Sequence, residues 1–73
     1  MEGLIEGRMV HFVVSPEQHR AAIVVNVISK DYGECDLFVL SMPQDERGGF
    51  FVYTDARYDD GKAVNTWHWI EKA

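Results

Sequence analysis

The sequence predicts an all-β fold, a small closed barrel of five short strands, on three observations. Apolar clusters recur at short intervals with Gly, Pro, Asp and Asn between them. The strongest of them, Ala21 to Ser29 (AAIVVNVIS), is rich in β-branched side chains and too short for an average helix. No segment sustains a helical period, and Ser15 to Ala22 has room for one turn at most. A chain of 73 residues makes one domain, at a size where a single core only just offsets chain entropy. That is short for a sandwich and matches an SH3-like barrel.

Met9 to Val14 reads as the first strand, with Val10, Phe12 and Val14 on one face and Met9, His11 and Val13 on the other. Ser15-Pro16-Glu17-Gln18 ends it, because proline has no N–H for a sheet interior. In the second strand, Ala21 to Ser29, strict alternation assigns Ile23, Val25 and Val27 to the core. Ala22, Val24 and Ile28 are apolar as well, so this strand looks covered on both sides. One small barrel does not provide that cover, and a subunit interface in a homo-oligomer is the economical explanation. Lys30-Asp31-Tyr32-Gly33-Glu34, with Gly33 free to take a positive φ, predicts a hairpin into a third strand, Cys35 to Leu40. Met42 to Gly49 is a polar loop and Phe50 to Asp55 the fourth strand. The turn-rich Tyr58-Asp59-Asp60-Gly61-Lys62 then leads to a closing strand, Asn65 to Glu71.

Seven Lys+Arg against twelve Asp+Glu give a net charge of −5. With the basic residues scattered singly, duplex nucleic acid is not an expected partner. No window approaches the ~20 apolar residues of a membrane span, and no signal-peptide pattern opens the chain, so neither membrane nor export is expected. Cys35 is the single cysteine, which excludes an intramolecular disulfide and suits a reducing cytoplasm.

No catalytic set can be named, and the chain is read as no enzyme. Cys35 in a strand reads as a small core hydrophobe. Asp45-Glu46 and Asp59-Asp60 fall in turns, where acidic side chains bond local backbone. Arg47-Gly48-Gly49 lacks the lysine-serine ending and the helix of a phosphate loop. His11, His19 and His68 show none of the close ligand pairs of a one-chain zinc site, so no metal and no cofactor are expected.

Binding is the better reading. Arg20 stands where the Pro16 turn enters the most apolar strand, placed either for a bidentate grip on phosphate or carboxylate or for an internal ion pair. If the first and last strands pair, His11 and His68 become neighbours. With Arg20, Tyr53 and Trp67 they would make a polar and aromatic pocket for a base and its phosphate. Trp67 and Trp69 share one face of the last strand, as core, interface or stacking platform. Trp69 is expected mainly to hold the barrel closed.

Gly7-Arg8-Met9-Val10-His11-Phe12-Val13, His19-Arg20-Ala21-Ala22-Ile23-Val24, Asp36-Leu37-Phe38-Val39, Tyr58-Asp59 and Thr66-Trp67-His68-Trp69 resemble a group of short uncharacterised bacteriophage and prophage proteins. That group reads Gly-x-x-Val-His-Tyr-Val near its start, Arg-[Ala/Pro]-Ala-Ile-Val in its middle and Thr-Trp-His-Trp-Pro-Glu at its close. Here Ile70 replaces the proline, which would let the last strand run further, while Glu71 agrees. The resemblance implies a phage origin and action in the host cytoplasm. Phage chains of this size include inhibitors of bacterial immunity, some of which sequester nucleotide signals without cleaving them. The leading expectation is therefore sequestration of a small anionic, nucleotide-like ligand by Arg20, His11, His68, Trp67 and Tyr53. The alternative is a protein-interaction adaptor or minor virion component, with a host protein as partner and the aromatic face as its contact.

Overall fold

The computed structural model describes residues 1–45 and 47–71, and the elements among them are five strands with no helix. The strands are β1 (Met9–Ser15), β2 (Gln18–Ser29), β3 (Glu34–Val39), β4 (Phe51–Tyr58) and β5 (Thr66–His68). β1 to β4 pair antiparallel in chain order. β5 closes the barrel by lying parallel to β4 and antiparallel to β1. The result is a closed five-stranded barrel consistent with the SH3-like type. Glu46, half of the Asp45-Glu46 pair, lies outside the described residues. Among the described residues no helix is long and apolar enough to cross a membrane.

Pro16 and Glu17 form a two-residue turn, with Ser15 opposite Gln18, so β2 begins at once and no helical turn intervenes. β1 sends Val10, Phe12 and Val14 into the core, as alternation requires. β3 does the same with Cys35, Leu37 and Val39.

β2 departs from the expected phase. Ala22 and Val24 are the core residues, Ile23 is only partly buried, and Val25 and Ile28 are exposed. The pairing with β3 slips between Val24 and Asn26, and beyond that bulge Val27 packs against the core. One extra residue moves the inward phase from even to odd positions, which a strict two-residue period cannot register. The pairing of β3 with β4 slips as well, where Leu37 opposes Tyr53 but Cys35 opposes Ala56. Asp55 sits there with a φ of 56° and donates its N–H to Asp36 Oδ1 at 2.8 Å. Asp36 Oδ2 accepts from Asn26 Nδ2 at 3.1 Å, so one carboxylate anchors both bulges. Bulges increase local twist and bend, which lets a sheet of short strands curl shut.

The segment before β1 is part of the barrel. Leu4 joins the core, and the Gly7 N–H donates to Val24 O at 2.6 Å while Arg8 O accepts from Val24 N–H at 2.9 Å. β5 is shorter than expected and ends at His68, so Ile70 does not prolong it. Trp67 is wholly buried, donates from Nε1 to Gly33 O at 2.7 Å and packs edge-on to Tyr58. Trp69 is only partly buried and rests edge-on against Trp67, with the Arg8 guanidinium 5.0 Å from its ring centroid. The indole expected to hold the barrel closed is thus the outer one, because the strand stops before it.

Candidate functional site

β1 and β5 pair with His11 directly opposite His68. Opposed residues of an antiparallel pair project from the same face with Cβ atoms ~4.5–5.5 Å apart, so the register alone brings these imidazoles together. Their ring centroids are 5.6 Å apart and the planes nearly perpendicular. His19 on β2 pairs with Val13, and its centroid lies 5.0 Å from that of His68. All three histidines of the chain therefore gather on the outer face of the barrel, away from Phe12.

Glu71, in the segment after β5, closes this cluster. Its Oε1 lies 3.2 Å from His11 Nδ1 and 3.0 Å from His68 Nε2, and its Oε2 accepts from Lys62 Nζ at 3.1 Å. His68 is 2% exposed, and among the described residues neither ring nitrogen finds a hydrogen bond of sound geometry, the approach to Glu71 being close but misaligned. Burial holds the His68 pKa below its usual value despite the carboxylate beside it. The Lys62 ammonium, with help from His11, holds Glu71 down at about 2.

The other expected site residues are dispersed. Arg20 donates from Nε and Nη2 to both carboxylate oxygens of Asp45, each at 2.6 Å, and so ties β2 to the loop before β4. Its charge is already met, which is the ion-pair alternative rather than a free anion grip. Trp67 has no exposed face on which a base could stack. Tyr53 is partly buried against Phe12, ring centroids 5.0 Å apart, with the Arg47 guanidinium 5.7 Å from its centroid. Of the five residues expected to share a pocket, only His11 and His68 meet.

A second feature lies on the outer side of β2, where apolar residues at both phases predict a subunit interface. Met9, Ile23, Phe38 and Val52 are successive cross-strand partners over β1, β2, β3 and β4. They point outward, since their neighbours Val10, Ala22, Val24, Leu37 and Val39 fill the core. Val52 is 61% exposed, and Phe50, edge-on to Phe38 at 6.0 Å, is 69% exposed. Beside Phe50 an open apolar groove of about 320 Å³ is lined by Ser41, Met42, Pro43 and Gly49. The apolar residues at both phases of β2 were the visible signal of such a face; the bulge and the register that align the row were not visible.

The fold and these two surfaces define a small β-barrel with a polar histidine cluster and an apolar outer row. No protein-family profile, curated protein or solved structure matches the chain.

Proposed function

We propose that this chain is a non-catalytic binding barrel that docks a protein partner through the Met9, Ile23, Phe38, Val52 and Phe50 face. The observation that carries this reading is the outward apolar row, continuous over four strands and ending at the groove beside Phe50. Exposed apolar surface of this kind is costly to leave wet and marks interaction sites. An aromatic beside a groove is the usual form of an interface anchor. A partner offering apolar side chains to the groove, with basic residues around them, complements a chain of net charge −5. A role without turnover is supported by Cys35, which is buried with its thiol pushed up to about 12, far from a nucleophile's range. In the phage setting that the sequence motifs imply, the partner is a host protein met in the host cytoplasm or a second copy of this chain.

Sequestration of a nucleotide-like anion is the competing reading. It is weakened by the pairing of Arg20 with Asp45 and the burial of Trp67 and His68, which leave it His11 and Tyr53. Pull-down from bacterial lysate with the wild type and with Val52→Asp/Phe50→Ser separates the two. A stoichiometric protein retained by the wild type and lost with the double variant is expected. Equal retention by both would overturn the docking face, and a co-purifying ultraviolet-absorbing small molecule would restore the sequestration reading. Mass spectrometry under non-denaturing conditions reports the subunit number in the same preparation.

A further inference from the structure

We propose that His11, His68 and Glu71 form a binding site for one divalent transition-metal ion of the zinc class, which staples the β1–β5 seam. β5 is three residues long and meets β1 through two residue pairs, His11 with His68 and Phe12 with Trp67. A domain this small with no disulfide is the kind that gains stability from a structural metal.

Among the described residues, these three bring one ligand atom each to within 4.8 Å of one another. An ion ~2.0–2.2 Å from each of two ligands at the tetrahedral angle holds those ligands about 3.3–3.5 Å apart. Glu71 Oε1 already stands 3.2 Å from His11 Nδ1 and 3.0 Å from His68 Nε2, while the three ligand atoms span up to 4.8 Å, so the ion enters once the exposed carboxylate gives by a few tenths of an ångström and the partly exposed His11 ring swings in by about 1 Å or more. The independent observation is His68 itself. It is a nearly fully buried imidazole with both nitrogens unpartnered among the described residues, and Nε2 lies beside the carboxylate without being aligned to it. Buried polar groups are normally satisfied, and an ion between Nε2 and the carboxylate would satisfy that nitrogen. Lys62 occupies only Oε2, which orients the carboxylate and leaves Oε1 for the ion. His19, its ring centroid 5.0 Å from that of His68, packs beside the cluster and is not one of the three ligands. Two imidazoles and one carboxylate suit zinc, cobalt, nickel or copper better than magnesium or calcium.

The inference is independent of the docking face and is tested on the full chain. After chelator treatment, calorimetric titration with zinc chloride should show one ion per chain and a raised melting temperature. Titration with cobalt(II) chloride should give visible ligand-field bands. His11→Ala and Glu71→Gln, each confirmed folded by circular dichroism, should weaken zinc binding by at least ~100-fold. Cys35→Ser should leave it unchanged. Failure of the folded wild type to bind zinc overturns the site. So does binding that survives either His11→Ala or Glu71→Gln.

Discussion

Arg20 and Asp45, 25 positions apart in the chain, are joined by two parallel hydrogen bonds of 2.6 Å. The same carboxylate accepts from Ser41 Oγ and from the Met42 N–H, both at 2.9 Å. It is fully shielded from solvent, while the guanidinium is about a third exposed. Four donors on one buried anion make it the anchor of the loop that lines the apolar groove.

Removing the guanidinium strands that anion, so Arg20→Ala should lower the melting temperature by more than about 5 °C. Arg20→Lys should recover only part of the loss, because an ammonium cannot make the bidentate contact. Asp45→Asn keeps an acceptor and removes the charge, and should cost less than Arg20→Ala. Thermal melts of the three variants check the order.

The same pair sets an acid limit. Arg20, with the Met42 N–H and Ser41, holds the Asp45 carboxyl well below the usual carboxylate range. The unfolded chain therefore takes up this proton first as pH falls. The stability is fully present above the unfolded pKa of about 3.9 and is lost progressively below it. Glu71, held at about 2, acts with the same sign. Melting temperature measured between about pH 6 and pH 2 should fall steeply at the acid end, and less steeply in Asp45→Asn.

The two tryptophans should separate in mutagenesis. Trp67→Ala empties the core and should cost ~3–5 kcal/mol, enough to unfold much of so small a domain. Trp67→Phe keeps most of the volume but loses the donor to Gly33 O, for ~1–2 kcal/mol. Trp69→Ala removes a partly buried ring and its edge-on contact, and should cost less than about 2 kcal/mol. Urea denaturation gives all three values.

Gly33 is needed for its space as well as its conformation. Its φ is +71°, and a Cβ there would sit 2.7 Å from the Cβ of Tyr58. Its carbonyl accepts both the Trp67 indole N–H and the Tyr58 backbone N–H. Gly33→Ala should cost ~1–2 kcal/mol for the left-handed backbone and ~1–3 more for the clash. Gly48 has the same φ with nothing within 4 Å, so Gly48→Ala should show the backbone cost alone. Similar losses in the two variants would refute the steric part.

The all-β class, the five strands in order, the shared face of Val10, Phe12 and Val14 on β1 and the Gly33 turn were legible in the sequence. These follow from short-range physics: alternation, β-branched content, and the backbone freedom of glycine and proline. The sequence also contained, as a condition, the meeting of His11 and His68, since that needs only the first and last strands to pair. Tertiary structure alone decided the rest. The bulge that lets Val24 and Val27 both face the core is braced by Asp36 accepting from Asn26, and the bulge on β4 by the same carboxylate accepting from Asp55. The end of β5 at His68 put Trp67 in the core and Trp69 at its edge. Arg20 was drawn to Asp45 across the loop, and Glu71 was brought to the histidines from 60 positions beyond His11. A carboxylate's choice among distant donors is settled by the closed barrel and leaves no local period to read.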